Sequence, residues 1–264
     1  MPSRFTRLEL ESLDRLAAAE SAEQLQGTPV RDAGHHFRLA QEMHRWGRFE
    51  EGLQSFTRAL REDRALIPAW VGQVQMLVEL EEYKEARLWA DKALELFRNQ
   101  GDLLAAKAQA CIRAGDRAAG AACCDAALGS AGSSAWRWEV RGEIWLATRQ
   151  RRHDDCFEKA LAEPESDWFD RIVIARIYMF YGQVARALRY LRQALDLAPD
   201  HGYNWFVLGQ CQAALGWGAV AEQSFQHCLE LAADYAPARH AIQELNSESR
   251  LRRAWRRLRS GPPR

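Results

Sequence analysis

Apolar side chains in this chain fall at offsets of 3, 4 and 7 residues, and the whole pattern then recurs. The pair Ala-Leu, or Cys-Leu, stands at Ala59-Leu60, Ala93-Leu94, Ala127-Leu128, Ala160-Leu161, Ala194-Leu195 and Cys228-Leu229, at steps of 34, 34, 33, 34 and 34 residues. Three residues before each pair comes Phe56, Ala90, Cys124, Phe157, Leu191 or Phe225. Seven before it comes Gly52, Ala86, Gly120, His153, Ala187 or Ala221. Positions so spaced share one face of an α-helix. A second helical stretch precedes each of these, with its own short side chain at Ala40, Val74, Ala108, Gly142, Ala175 and Gly209. Gly47, Gly115, Gly182 and Gly216 mark the turn between the two stretches in four of the units. The pattern predicts an all-α chain of six helix-turn-helix units over 33–234, divided as 33–66, 67–100, 101–134, 135–167, 168–201 and 202–234.

Small residues recur where two helices must cross closely. Each unit in this respect resembles a tetratricopeptide repeat. The best copy runs from Asn204 to Leu229, with Trp205, Leu208, Gly209, Gly216, Ala221, Phe225 and Cys228 in the signature places of that family, and Pro199 closes the copy before it. The resemblance implies an α-solenoid, a stack of repeats winding into a right-handed superhelix with capping helices at its ends. The fourth unit departs from the pattern. It is one residue short, lacks the turn glycine and carries His153 at a small position, so a local offset or a looser contact is expected there.

Beyond the repeats, residues 1–32 read as an amphipathic capping helix, with Phe5, Leu8, Leu13 and Leu16 near one side, followed by a linker containing Gly27 and Pro29. Residues 235–249 read as a C-terminal capping helix starting at Pro237, with Ala241, Ile242 and Leu245. Residues 250–264 hold seven arginines and no acid, and Leu251, Ala254, Trp255 and Leu258 fall on one helical face. This segment is either a solvated tail or a basic amphipathic element that touches an acidic partner, a membrane surface or nucleic acid.

Charge and cysteine content narrow the functional classes. The 36 acids balance the 36 bases, so no whole-chain field attracts polyanions. No stretch has a signal-peptide pattern or the ~18 apolar residues of a membrane span, which makes a cytoplasmic location the expectation. None of the six cysteines belongs to a metal-type cluster, and small apolar packing in a reducing compartment accounts for them.

The resemblance implies that the first helix of each repeat lines an inner wall on which ligands lie. One row of that wall is Gln41, Gln75, Gln109, Glu143, Arg176 and Gln210; a primary amide both donates and accepts, and suits an extended peptide backbone. The alternative for this row is a solvated polar stripe. A second row is Phe37, Val71, Ala105, Glu139, Ile172 and Phe206, and a third is Arg45, Glu79, Arg113, Ala147, Phe180 and Ala214, with His44 beside it. The rows carry glutamine, valine and alanine where paired lysine, asparagine and arginine would form a clamp for chaperone C-terminal carboxylates, which argues against that ligand. There is no phosphate-binding glycine loop, no dinucleotide fingerprint and no H-E-x-x-H motif. The expectation is a non-catalytic, cofactor-free and metal-free adaptor, monomeric, that binds a peptide or protein segment. A self-associating scaffold and a regulatory partner of a separately encoded enzyme are the alternatives.

Overall fold

The computed structural model describes residues 32–259, and these fold into thirteen α-helices. The capping helix expected over 1–32 lies outside the described residues. The helices are α1 (Ala33–Arg45), α2 (Phe49–Glu62), α3 (Ile67–Glu79), α4 (Tyr83–Leu96), α5 (Gly101–Arg113), α6 (Arg117–Gly129), α7 (Ala135–Ala147), α8 (His153–Leu161), α9 (Trp168–Phe180), α10 (Val184–Leu197), α11 (Gly202–Ala214), α12 (Gly218–Leu231) and α13 (Ala236–Arg259). The chain divides into two compact units, one up to Glu163 and one from Pro164. Neighbouring helices pair as hairpins, α1 with α2, α3 with α4, α5 with α6 and α7 with α8 in the first unit, and α9 with α10 and α11 with α12 in the second.

Helix starts follow local chemistry. Asp32 caps α1 by accepting from the His35 N–H at 2.7 Å, and Asp116 caps α6 from Ala119 at 3.1 Å. Asp167 and Asp170 form a reciprocal capping box at α9; the Asp167 N–H donates to Asp170 Oδ2 and the Phe169 N–H to Asp167 Oδ1, each at 2.7 Å. The indole N–H of Trp70 donates to the Arg64 carbonyl at 3.0 Å, and that of Trp205 to the Pro199 carbonyl at 2.7 Å. Each tryptophan thereby fastens the loop that enters its own helix.

The turn inside every hairpin has one geometry. In each, an N–H bonds to the carbonyl five residues back: Arg48 to Met43, Glu82 to Leu77, Asp116 to Cys111, Gln150 to Trp145, Gln183 to Tyr178 and Trp217 to Gln212. The preceding N–H bonds three residues back, as Gly47 does to His44 and Glu81 to Val78. This is the Schellman arrangement, which requires a left-handed residue. Gly47, Gly115, Gly182 and Gly216 supply it at φ between 66° and 88°, while Glu81 at 63° and Arg149 at 59° supply it in the second and fourth hairpins. The missing glycines of these two units are thus replaced by non-glycine residues in the same backbone state.

The recurring small positions are buried. Ala59, Ala93, Ala127, Ala160, Ala194 and Cys228 have no exposed surface, and neither do Ala86, Ala187 and Ala221 seven residues before such pairs. Three phenylalanines interlock with glycines. A Cβ on Gly142 would lie 2.4 Å from the Phe157 ring, one on Gly209 2.5 Å from the Phe225 ring, and one on Gly72 2.2 Å from the Phe56 ring. Each ring occupies the space an alanine methyl would need and so packs directly on the backbone of the facing helix.

The fourth hairpin differs from the others in the length of its second helix. Its second helix, α8, has 9 residues where α2, α4, α10 and α12 have 14. His153 is its first residue, buried, with Nδ1 2.8 Å from the Gln150 carbonyl. Pro164 follows closely on its C-terminus, where it bars continuation of the helix. At the C-terminal end of the chain α13 runs unbroken from Ala236 to Arg259, so the segments assigned to 235–249 and to the start of 250–264 form one helix.

Replacing Glu81 or Arg149 with glycine is expected to raise the thermal midpoint, because a left-handed non-glycine residue costs about 1–2 kcal/mol and the added chain entropy offsets only part of that. Gly115→Ala, with φ 88° and nothing within 4 Å of the new Cβ, is expected to lower stability by about 1 kcal/mol through backbone conformation alone. Gly209→Ala is expected to cost about 1–3 kcal/mol through overpacking, with a substantial part restored in the Gly209→Ala/Phe225→Leu double variant; urea unfolding measures both.

Candidate functional site

First helices within a unit touch one another: α1 packs on α3, α3 on α5 and α5 on α7, and separately α9 packs on α11. Within each unit a second helix also packs against the first helix of the next hairpin, as α2 does on α3 and α4 on α5. The rows read from the sequence therefore lie side by side on consecutive helices within each unit.

Packing treats these rows unevenly. In the first unit Gln41 is exposed, and Phe37, His44, Arg45, Val71, Gln75 and Glu79 are half-buried. Phe37 leans on Phe56 with ring centres 5.9 Å apart, and His44 on Phe49 at 6.2 Å. Further along, Gln109, Glu139 and Glu143 are closed off, with exposures of 2%, 2% and 0%. These three do not belong to an open wall. Gln109 Nε2 donates to Glu143 Oε2 at 2.9 Å, so two members of the amide row, one repeat apart, bond to each other. Arg113 reaches the other oxygen, donating from Nε to Glu143 Oε1 with its own side chain 8% exposed. Tyr83 stands in the field of the same pair; burial lifts its hydroxyl above the ordinary range, and Arg113 opposes that shift. The row is here a hydrogen-bonded strut between α5 and α7.

A second strut lies near it. Arg137, 7% exposed, donates from Nε to Asp102 Oδ1 at 2.8 Å and from Nη1 to the Ala131 and Gly132 carbonyls at 3.0 and 2.8 Å. Its guanidinium lies over Gly101, where a Cβ would sit 2.2 Å away. No motif in the sequence signals this residue. The available clue is a charged side chain at a position where the second and third repeats carry Ala69 and Leu103.

In the second unit Ile172 and Phe206 are buried, at 0% and 7% exposure, and serve as core. Phe206 packs on Phe225 at 5.7 Å and Tyr235 at 5.2 Å. Arg176 is half-buried, and its Nη1 donates to the Tyr203 hydroxyl at 2.9 Å, tying α9 to α11. Phe180 is 45% exposed and Gln210 half-buried. Among the described residues no group of three or more His, Cys, Asp and Glu is placed to hold a metal ion, and no helix is long and apolar enough to cross a membrane.

A tetratricopeptide repeat model matches residues 171–201, the fifth hairpin, and the same hairpin recurs along the chain. The fifth hairpin is a tetratricopeptide repeat by that match, and the described residues have a tetratricopeptide-like all-α fold. A tetratricopeptide repeat protein from Parabacteroides merdae ATCC 43184 superposes with a TM-score of 0.52 at 16% identity, over 89% of this chain and 90% of that one. The human IFIT1 dimer with m7Gppp-AAAA gives a TM-score of 0.50 at 17% identity, over 91% of this chain and 60% of that one. At such identities the likeness concerns the fold. No curated protein matches the chain by sequence at a significant level.

Within this tetratricopeptide-like array the Gln109–Glu143–Arg113 strut has a measurable consequence. Glu143→Gln is expected to destabilise the protein by about 3–5 kcal/mol, because the Arg113 charge loses its buried counterion. Glu143→Gln combined with Arg113→Met is expected to recover much of that loss in a urea unfolding series.

Proposed function

We propose that the chain is a non-catalytic adaptor that holds a peptide or protein segment on the first helices of its N-terminal repeats, around Gln41 and Gln75. What supports this reading is the contrast along one row. Gln109 and Glu143 satisfy each other inside the protein, whereas Gln41 is exposed and Gln75 half-buried on helices that pack directly together. Two amides one repeat apart offer donors and acceptors to a backbone without demanding a side-chain sequence. Half-buried Phe37 and Val71 lie one helical turn before Gln41 and Gln75 and offer apolar contact beside them. In the second unit, Phe180 is the large exposed apolar member of the rows and Gln210 the amide, and they form a candidate contact of the same kind.

The role is tested by comparing capture of partners by the wild type and by the Gln41→Glu/Gln75→Glu double variant, with bound proteins quantified by mass spectrometry. Loss of most of the captured material is expected, because carboxylates keep the acceptors and lose the donors. Gln54→Glu, an exposed change on α2, is the control expected to leave capture intact. Equal capture by all three proteins rules out this surface.

A further inference from the structure

The last helix changes its apolar face part-way along. Tyr235, just before α13, and Ala238 are buried, and Ala241, Ile242, Leu245 and Asn246 are half-buried. Spaced by three and four residues, they form the stripe by which α13 packs on α12 and α11. Asn246 Nδ2 donates to Glu222 Oε1 of α12 at 3.5 Å. The backbone stays helical through Arg259. Continued at ~3.6 residues per turn, the stripe runs on through Ser249, Arg252, Arg253 and Arg256, so it ceases to be apolar. Apolar residues resume instead at Leu251, Ala254, Trp255 and Leu258. At ~100° per residue this second stripe lies roughly 170° around the helix from the first. It belongs to the side away from the one that packs on α11 and α12.

Charge changes at the same point. Between residues 250 and 259 stand Arg250, Arg252, Arg253, Arg256, Arg257 and Arg259, and no acid. Residues 250–264 hold seven of the 36 bases in the chain, which leaves 29 bases against 36 acids in residues 1–249. The balanced total therefore conceals a basic helix end on a net-negative remainder.

The two changes together select an occupant. A second copy laid on the apolar stripe would set its own six arginines beside these, and like charges repel. A nucleic-acid backbone pairs with arginines but leaves the leucines and the tryptophan of the stripe with nothing to bury them. An anionic lipid surface takes both kinds of residue: the apolar stripe enters the headgroup boundary, and the arginines meet lipid phosphate and carboxylate groups.

We propose that the C-terminal part of α13, from Arg250 to Arg259, is a binding helix for anionic lipid surfaces, with Leu251, Ala254, Trp255 and Leu258 as its membrane side. The net-negative remainder is repelled by the same surface, so attachment runs through this helix. Four apolar residues make a short stripe. Attachment consequently needs the apolar and the ionic contribution together, and is reversible and sensitive to salt.

The test floats the whole chain with vesicles of phosphatidylcholine alone, or of phosphatidylcholine with about one third phosphatidylserine, at ~0.1 M and ~0.5 M salt. Binding to the anionic vesicles is expected to be about tenfold or more tighter than to the neutral ones at low salt, and mostly lost at high salt. Leu251→Glu/Leu258→Glu and Arg252→Gln/Arg253→Gln/Arg256→Gln are each expected to weaken it about tenfold or more, with the circular dichroism spectrum unchanged. Arg239→Gln, an exposed change in the packed half of α13, is expected to leave it intact. A second measurement needs no charge change: brominated lipid is expected to quench part of the tryptophan fluorescence in the wild type, and Trp255→Phe to remove that part. Three results would overturn the proposal. The first is equal binding, or none, to the two kinds of vesicle. The second is loss of binding in the arginine variant but not in the leucine variant, with tighter retention on single-stranded RNA, which marks a nucleic-acid site. The third is growth of mass with concentration that Leu251→Glu/Leu258→Glu abolishes, which marks contact between copies.

Discussion

Two helices in every repeat must come close enough for backbone to meet side chain, and most other features of this molecule are consequences of that approach. At Gly142 and Gly209 the space of an absent methyl is filled by a phenylalanine ring from the partner helix. In register, Ala108 and Ala175 are matched by Cys124 and Leu191, smaller than phenylalanine, whereas in the first hairpin, with Ala40, the Phe56 ring fills the space over Gly72 of the next hairpin. Volume is thus shared across the crossing, and neither side can change alone without opening a cavity or forcing a clash. A hairpin so built still has one apolar face to hide, which only a neighbouring hairpin covers.

The turn obeys a stricter rule than composition suggests. All six hairpins close with the same pair of backbone bonds, and the residue between the helices is left-handed in every one. Glycine meets that demand without strain at four of them. At Glu81 and Arg149 the tertiary structure holds a non-glycine residue there instead. Packing of the two helices therefore decides the turn, and residue preference adjusts its stability. Most of this was legible beforehand: the period, the buried face and the odd fourth unit all rest on interactions between residues three to seven apart, which leave a pattern in the chain.

The surface rows were less legible, for a physical reason. A polar residue in register says which way a helix position faces, but not what the next helix presents to it. Gln41 and Gln109 occupy the same place in their repeats, yet one is exposed and the other 2% exposed, because only the latter meets a carboxylate from the following repeat. A hint was present, since Glu143 interrupts a row of amides and Arg113 stands in the neighbouring row 30 residues earlier. Opposite charges in adjacent rows of consecutive repeats are better read as a strut than as two ligand contacts. Ile172 and Phe206 show the apolar form of the same ambiguity: in the second unit those wall positions have become core.

The struts also bear on where a ligand can be held. A buried ion pair brings little net stability, because the desolvation of both charges consumes most of their attraction. It does penalise any arrangement that separates the partners. Glu143 with Gln109 and Arg113, and Arg137 with Asp102 and two loop carbonyls, both tie the third hairpin to the fourth. The first two hairpins pack instead through an apolar cluster around Phe56, Trp70 and Leu77, contacts that tolerate small shifts because they lack direction. On the adaptor reading proposed above, a surface that accepts segments of varied sequence would combine solvent-facing amides with packing of this kind, and Gln41 and Gln75 in the first unit, ahead of the directional struts, offer that combination.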